Sequence, residues 1–250
     1  MASDEDGDSD EFGDEPQAAP EPDEDDLVID DVVDTEEESD ELAAVATVAR
    51  EHDLMVVTDE VYEHLVFDGP HTPIATMPGA AARTLSISSA GKTFSTTGWK
   101  IGWVTGPADL VEAVLAVKQF LTYTNGTPFQ HAIAAGLGLP DAYFDGAAAT
   151  LRDKRDLLGE GLRAAGFAVS VAAGSYFTVA DAAGLMAPGT DAADFCRTLP
   201  ERAGVVAIPL TAFASTERRN QYASLVRFAA CKRTEVIAEA GRRLAALADA

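Results

Sequence analysis

From Thr84 to Trp99 the sequence Thr-Leu-Ser-Ile-Ser-Ser-Ala-Gly-Lys-Thr-Phe-Ser-Thr-Thr-Gly-Trp holds a single charged residue, Lys92, set among small and hydroxyl side chains. Gly91-Lys92-Thr93 follows an apolar run and so invites comparison with a phosphate-binding loop. That loop needs a glycine five residues before Gly91, and position 86 is serine. Its lysine also opens a helix, whereas Gly98-Trp-Lys-Ile-Gly-Trp103 follows within a few residues and reads as a turn entering a strand. Binding of a nucleoside triphosphate is therefore disfavoured. An isolated lysine either points to solvent or does amine chemistry. Partial burial lowers an ammonium pKa toward that of a usable nucleophile, which is what Schiff-base formation requires.

Asp59 ends the apolar run Leu54-Met-Val-Val-Thr58, and ligands of open α/β sheets sit at the carboxyl ends of strands. Pyridoxal phosphate requires a lysine for its aldehyde, a carboxylate beside its pyridine nitrogen and donors for its phosphate. Lys92, Asp59, and Ser89 with Lys100 are groups of those types. A carboxylate that keeps the ring nitrogen protonated lets the ring take up the electrons left when a substrate Cα loses its proton. Plainer readings stand beside these. Asp59 also suits a cap, Tyr62 a core position and Ser89 a loop, while Arg227 suits a surface ion pair. Trp99 and Trp103 read as packing residues.

The elements that must position these groups follow from periodicity and punctuation. Ser39-Asp-Glu-Leu-Ala-Ala-Val-Ala-Thr-Val-Ala-Arg50 predicts a helix capped by Ser39. The run 54–58 predicts a strand buried on both faces of a parallel sheet; 84–88 and 100–105 predict two more. Helices are predicted at 107–122, 128–139 and 143–165, the last closed by Gly166. Beyond it, strands at 167–171, 176–180, 205–208 and 225–229 alternate with helices near 191–203 and 234–248. That is a small α+β unit after a partial α/β one, with expected boundaries at 1–38, 39–144 and 145–250.

Half of the acidity is concentrated at one end. Residues 1–42 hold 21 of the 42 Asp and Glu residues and no Lys or Arg, leaving 21 acids against 18 bases in the rest. Segments such as Pro20-Glu-Pro-Asp-Glu-Asp-Asp26 bury little and repel themselves, so 1–38 is expected to be a disordered acidic tail. The near-neutral body shows no basic patch, which argues against nucleic acid. No signal-like leader and no 18-residue apolar run is found, so a soluble cytoplasmic protein with no membrane partner is expected. Cys196 and Cys231 are too few for a disulfide framework, and His52, His64, His71 and His131 lack metal-ligand spacing, so no metal is expected.

Five motifs in one order carry a resemblance: Asp59-Glu-Val-Tyr-Glu-His-Leu65, Ser88-Ser-Ala-Gly-Lys-Thr-Phe-Ser95, Gly98-Trp-Lys-Ile-Gly-Trp103, Thr127-Pro-Phe-Gln130 and Leu225-Val-Arg-Phe-Ala-Ala-Cys-Lys232. From Ser39 to Ala250 the chain resembles the fold-type-I, class I/II pyridoxal phosphate aminotransferases, in their kynurenine, methionine and N-succinyldiaminopimelate branch. The resemblance implies a partial large domain with a mostly parallel sheet, a small C-terminal domain, and amino-group transfer from an amino acid to a 2-oxo acid. It implies that Lys92 forms the Schiff base with pyridoxal 5'-phosphate and shuttles the proton. By the same resemblance Asp59 pairs with the pyridinium nitrogen and Tyr62 donates to the cofactor's phenolate oxygen. Ser89 and Lys100 match phosphate ligands, Lys100 standing where other branches have Arg. Arg227 matches the arginine that grips the substrate α-carboxylate, a task suited to its bidentate fork.

Family members are homodimers, and their large domain has a further half ahead of the position of Ser39. That half holds a glycine-containing phosphate loop, an aromatic residue stacked on the pyridine ring and an Asn-Pro-x-Asn-Pro-Thr-Gly segment, none of which occurs here. Three expectations follow: an aminotransferase, a catalytically weak or silent truncated fragment of one, or an interaction protein whose acidic tail recruits a partner.

Overall fold

In the computed structural model, residues 35–247 are described. The acidic tail expected over 1–38 lies outside the described residues except for its last four positions, which already belong to helix α1 (Thr35–Glu51). α1 thus begins ahead of Ser39, the expected cap. Glutamate is a good helix former and acidic residues suit a helix N-terminus, so Glu36-Glu-Glu38 extends the helix backwards. At the other end Asp53 turns the chain with φ 51°. Arg83 then donates Nη1 to the carbonyls of Ala49 (3.2 Å) and Leu54 (2.9 Å). Ala49 O also accepts the N–H of Leu54 at 2.8 Å, so Arg83 adds a second donor at the helix end and ties the chain leaving α1 to it.

Strand β1 (Val56–Asp59) pairs in parallel with β2 (Thr84–Ser89), and β2 continues through the four-residue helix α2 (Ala90–Thr93) to β3 (Gly102–Thr105). β2 and β3 are antiparallel, with Ser89 opposite Gly102. This sheet is therefore mixed, where a mostly parallel one was expected. The link from Ser89 to Gly102 closes on itself at one end of the sheet and never climbs back along it, so only an antiparallel return is available. The expected burial of β1 on both faces also fails. β1 has a neighbour on one side only, and Met55 and Val57 are 59% and 60% exposed.

Helices α3 (Ala108–Leu121) and α4 (Thr127–Leu137) follow. α4 places Ile133 against Ala90 and Ile101, with Phe94 and Trp103 at the margin, a small core directly beneath α2. α3 buries none of its residues, and Leu115, Phe120 and Leu121 stand in solvent. α5 (Asp141–Ala164) runs across residue 144 toward the second sheet and ends before Gly166, whose φ of 94° only glycine adopts freely.

The second sheet is antiparallel throughout, in the order β4 (Ala168–Val169), β5 (Phe177–Asp181), β7 (Leu225–Ala229), β6 (Ile208–Pro209). Helix α6 (Ala192–Ala203) precedes β6, capped by Asp191, whose Oδ1 accepts from the N–H groups of Ala193 and Asp194 at 2.9 Å. α7 (Thr234–Ala245) closes the chain against α5. Leu162, Leu199, Val226 and Leu244 are fully buried at the centre of the largest core. The strand expected over 205–208 is reduced to Ile208–Pro209. Proline has no ladder N–H and belongs at a sheet edge, which is where β6 lies. No described helix is long and apolar enough to cross a membrane. Among the described residues no group of three His, Cys, Asp or Glu could hold a metal ion.

Candidate active site

Lys92 sits in the last turn of α2, held there by the hydroxyl-rich run that follows it. Thr96 Oγ1 donates to the carbonyl of Ala90 at 3.2 Å and Thr97 Oγ1 to that of Gly91 at 3.1 Å, folding the loop back on the short helix. A Cβ on Gly91 would lie 3.2 Å from Thr97 Cα, so the position is close to requiring glycine. Thr96 and Thr97 thus satisfy the carbonyls of the short helix, and Lys92 reaches away from its own loop.

Its Nζ donates to the phenol oxygen of Tyr176, the residue just ahead of β5, at 2.7 Å. Nζ also lies 5.3 Å from the ring centroid of Tyr176 and 5.6 Å from that of Tyr62. The two rings meet edge to face, with centroids 5.4 Å apart. The segments meet because residues 65–67 cross 173–175 as a short bridge: Ser175 N donates to Leu65 O and Phe67 N to Ala173 O. Sequence reading took Tyr176 only as the start of a strand. Nothing local marks a contact between residues so far apart in the chain.

The hydrogen bond to Tyr176 raises the Lys92 pKa, outweighing the lowering effect of burial. The expected lowering is therefore corrected: a phenol oxygen accepting from the ammonium stabilises the charged form more than partial desolvation disfavours it. Tyr62 is pushed from 10.0 to about 12, by burial first and by the neighbouring Tyr176 next. A raised folded-state pKa means that Tyr62 contributes its stabilisation intact below pH 10 and loses it as pH climbs toward 12. Phenolate absorbance followed against pH, wild type minus Tyr62→Phe, should therefore show the missing phenol ionising near 12. A difference centred on 10 would place Tyr62 in water.

Asp59 is the exposed last residue of β1, in register with Ile87, two residues before Ser89. Its neighbours are engaged: Glu60 meets His71 Nε2 at 2.5 Å, and Glu63 accepts from Ser88 Oγ at 2.6 Å. Asp59 Oδ1 accepts only the backbone N–H of Val61, at 3.3 Å, a turn contact consistent with its plainer reading. It lines a cavity of about 250 Å³ with Tyr62, Glu63, Leu65, His71 and Ser175. Ser89, half-buried at the end of β2, and Lys100, exposed in a left-handed turn with φ 57°, have side chains with no partner among the described residues. The strand expected from Lys100 therefore begins at Gly102.

Arg227, in the middle of β7, lies on the far side of the same aromatic cluster. Its guanidinium carbon is 4.0 Å from the ring centroid of Phe177, which stands 4.7 Å from Tyr176 and 6.2 Å from Tyr62. The structure thus brings Lys92, Tyr62 and Arg227 to one cluster, places Asp59 beside Tyr62, and leaves Ser89 and Lys100 at the strand ends flanking α2. An amine, a protonated phenol and an arginine around one aromatic cluster, with an exposed carboxylate lining the cavity beside the phenol, are groups of the types that an aldehyde-bearing pyridine phosphate requires.

The chain spans about half the length of the curated relatives it matches. It is 47% identical over 216 residues to the probable N-succinyldiaminopimelate aminotransferase of Mycobacterium tuberculosis, covering 84% of this chain and 54% of that protein. Against kynurenine–oxoglutarate transaminase 3 of Mus musculus the identity is 36% over 215 residues, or 79% and 47% of the two chains. The solved N-succinyldiaminopimelate aminotransferase of M. tuberculosis superposes with a TM-score of 0.79 at 48% identity, over 84% of this chain and 54% of that one. A methionine aminotransferase from Escherichia coli superposes at 0.77 and 30%, over 83% and 54%. With residues 38–244 matching the profile of aminotransferases of class I and II, the chain belongs to that pyridoxal phosphate-dependent family.

Proposed function

We propose that this chain carries the lysine-bearing part of an aminotransferase that moves an amino group from an α-amino acid to a 2-oxo acid. The observation that carries the reading is the convergence of Lys92, Tyr62 and Arg227 on the Tyr176–Phe177 cluster, from three elements distant in sequence. Bound pyridoxal phosphate would supply the aldehyde and the electron sink. Lys92 supplies the amine and, once free, a base that holds the proton at Nζ. Asp59 keeps a pyridine nitrogen protonated. Tyr62, whose pKa near 12 keeps its hydroxyl intact at neutral pH, serves as a donor. Ser89 Oγ and Lys100 Nζ hold the phosphate, and Arg227 takes the substrate carboxylate. Similarity to the succinyldiaminopimelate and kynurenine enzymes supports a 2-oxo acid acceptor. The division into a large domain over 39–144 and a small one over 145–250, the cytoplasmic setting and a homodimeric assembly belong to the same proposal.

A second reading, in which the chain works only beneath another polypeptide, is favoured by the open face of β1, where Leu54, Met55 and Val57 are exposed. Both readings are tested on the purified chain mixed with pyridoxal phosphate, reduced with borohydride and digested for mass spectrometry. Reduced cofactor on the Lys92 peptide is the result expected of the first reading. An unlabelled Lys92 would reject it for the chain alone and favour the second.

A further inference from the structure

Arg227 is held in an unusual way for a cation on an interior strand. It stands on β7 between Val179 of β5 and Ile208 of β6. Its Nε is buried with no hydrogen-bond partner, and it forms no ion pair with any described residue. What it has is two aromatic rings. Phe177 lies 4.0 Å from the guanidinium carbon and Phe213, in the turn Leu210–Phe213 after β6, lies 4.4 Å from it. Phe213 is 62% exposed, so burial of its own surface does not account for its position. Beside it opens a cavity of about 500 Å³ lined by Leu210, Ser215, Arg218 and Tyr222.

A guanidinium is usually oriented by a carboxylate, which neutralises it and occupies its donor edge. Aromatic rings attract the cation through their faces and leave the edge N–H groups unused. We propose that Phe177 and Phe213 are positioning residues, which clamp the plane of the Arg227 guanidinium so that its donor edge stays free for an incoming carboxylate. The significance of that edge rests on the reading of Arg227 as the substrate carboxylate ligand; the clamp itself is a property of this chain without ligand.

The test uses phenylglyoxal, which reacts with guanidinium edges, with the Arg227 peptide quantified by mass spectrometry in wild type, Phe213→Leu, Phe213→Ala and Phe213→Tyr. Phe213 is exposed, so these variants fold. Loss of one ring–cation contact should release Arg227 and speed its modification about fivefold in the Leu and Ala variants, while Tyr restores the wild-type rate. The proposal is overturned if no variant changes the rate, or if Leu slows it as well as Tyr does, since a merely covering side chain would then suffice. Pyruvate as a protecting ligand separates the two claims. Its half-protecting concentration should rise about fivefold in Phe213→Leu, and equal protection in both proteins would contradict a clamp that prepares the donor edge. Failure of pyruvate to protect wild type at all would instead remove the carboxylate reading, while the clamp is judged by the unliganded rates.

Discussion

Lys92→Arg will abolish the borohydride-trapped cofactor adduct. Arginine keeps the positive charge and can reach the phenol of Tyr176, so the loop from Gly91 to Thr97 and the contact between the two sheets are kept. It has no amine to condense with an aldehyde, and its guanidinium does not deprotonate in a protein. The yield of labelled peptide should therefore fall by at least about a hundredfold, with the fold, followed by circular dichroism, unchanged. Lys118 provides the internal control, being an exposed lysine on α3 outside the proposed site. An undiminished yield, relocated to Lys118, would show that Lys92 is an ordinary surface amine, and the assignment of the site would fall with it.

The second large effect is on stability. α5 and α7 approach so closely at Gly161 that a Cβ there would lie 2.7 Å from Gly241 Cα, a backbone atom that cannot move aside without shifting the whole helix. Gly161→Val should destabilise the protein by about 3 kcal/mol, the upper end of the range for overpacking, and lower Tm by roughly 6–12 °C. Gly146, near the other end of α5, is exposed and a Cβ there meets nothing within 4 Å. Gly146→Ala should stabilise by about 0.5–1 kcal/mol, because alanine is the better helix former and narrows the unfolded ensemble. Opposite signs from two glycines of one helix, read in thermal melts, isolate the crossing. Equal shifts would mean that α5 and α7 do not meet at Gly161.

Most of what the sequence states about this fold it states locally. The helices at 108–121, 192–203 and 234–245 follow from apolar spacing, an Asp cap and turn residues, and the structure moves them by a few residues at most. The motif resemblance placed the chain in the right family because the runs around Asp59, Lys92 and Arg227 are short and legible without a partner. What was not legible depends on neighbours. The apolar run at Leu54 reads as doubly buried, yet burial belongs to the sheet around a strand and β1 has one neighbour. The raised pKa of Lys92 depends on Tyr176, and the orientation of Arg227 on Phe213, neither of which is adjacent to its partner in sequence. Ser39 as a helix start failed for a local reason, since the glutamates before it continue the same periodic helix.

The unburied helix α3 divides the molecule energetically. Fourteen residues without a single buried side chain have little beyond their own backbone hydrogen bonds to hold them, and isolated helices of that length are marginal in water. The Leu162, Leu199 and Leu244 core, by contrast, joins α5, α6, α7 and the antiparallel sheet into one cooperative block. Amide protons of α3 will exchange with solvent through local fraying while those of β5 and β7 wait for global opening. Resistance to denaturation thus resides in the half that carries Arg227, and the lysine loop is anchored to that half by the Lys92–Tyr176 hydrogen bond and by Phe94 packed on Tyr143 and Phe144 of α5.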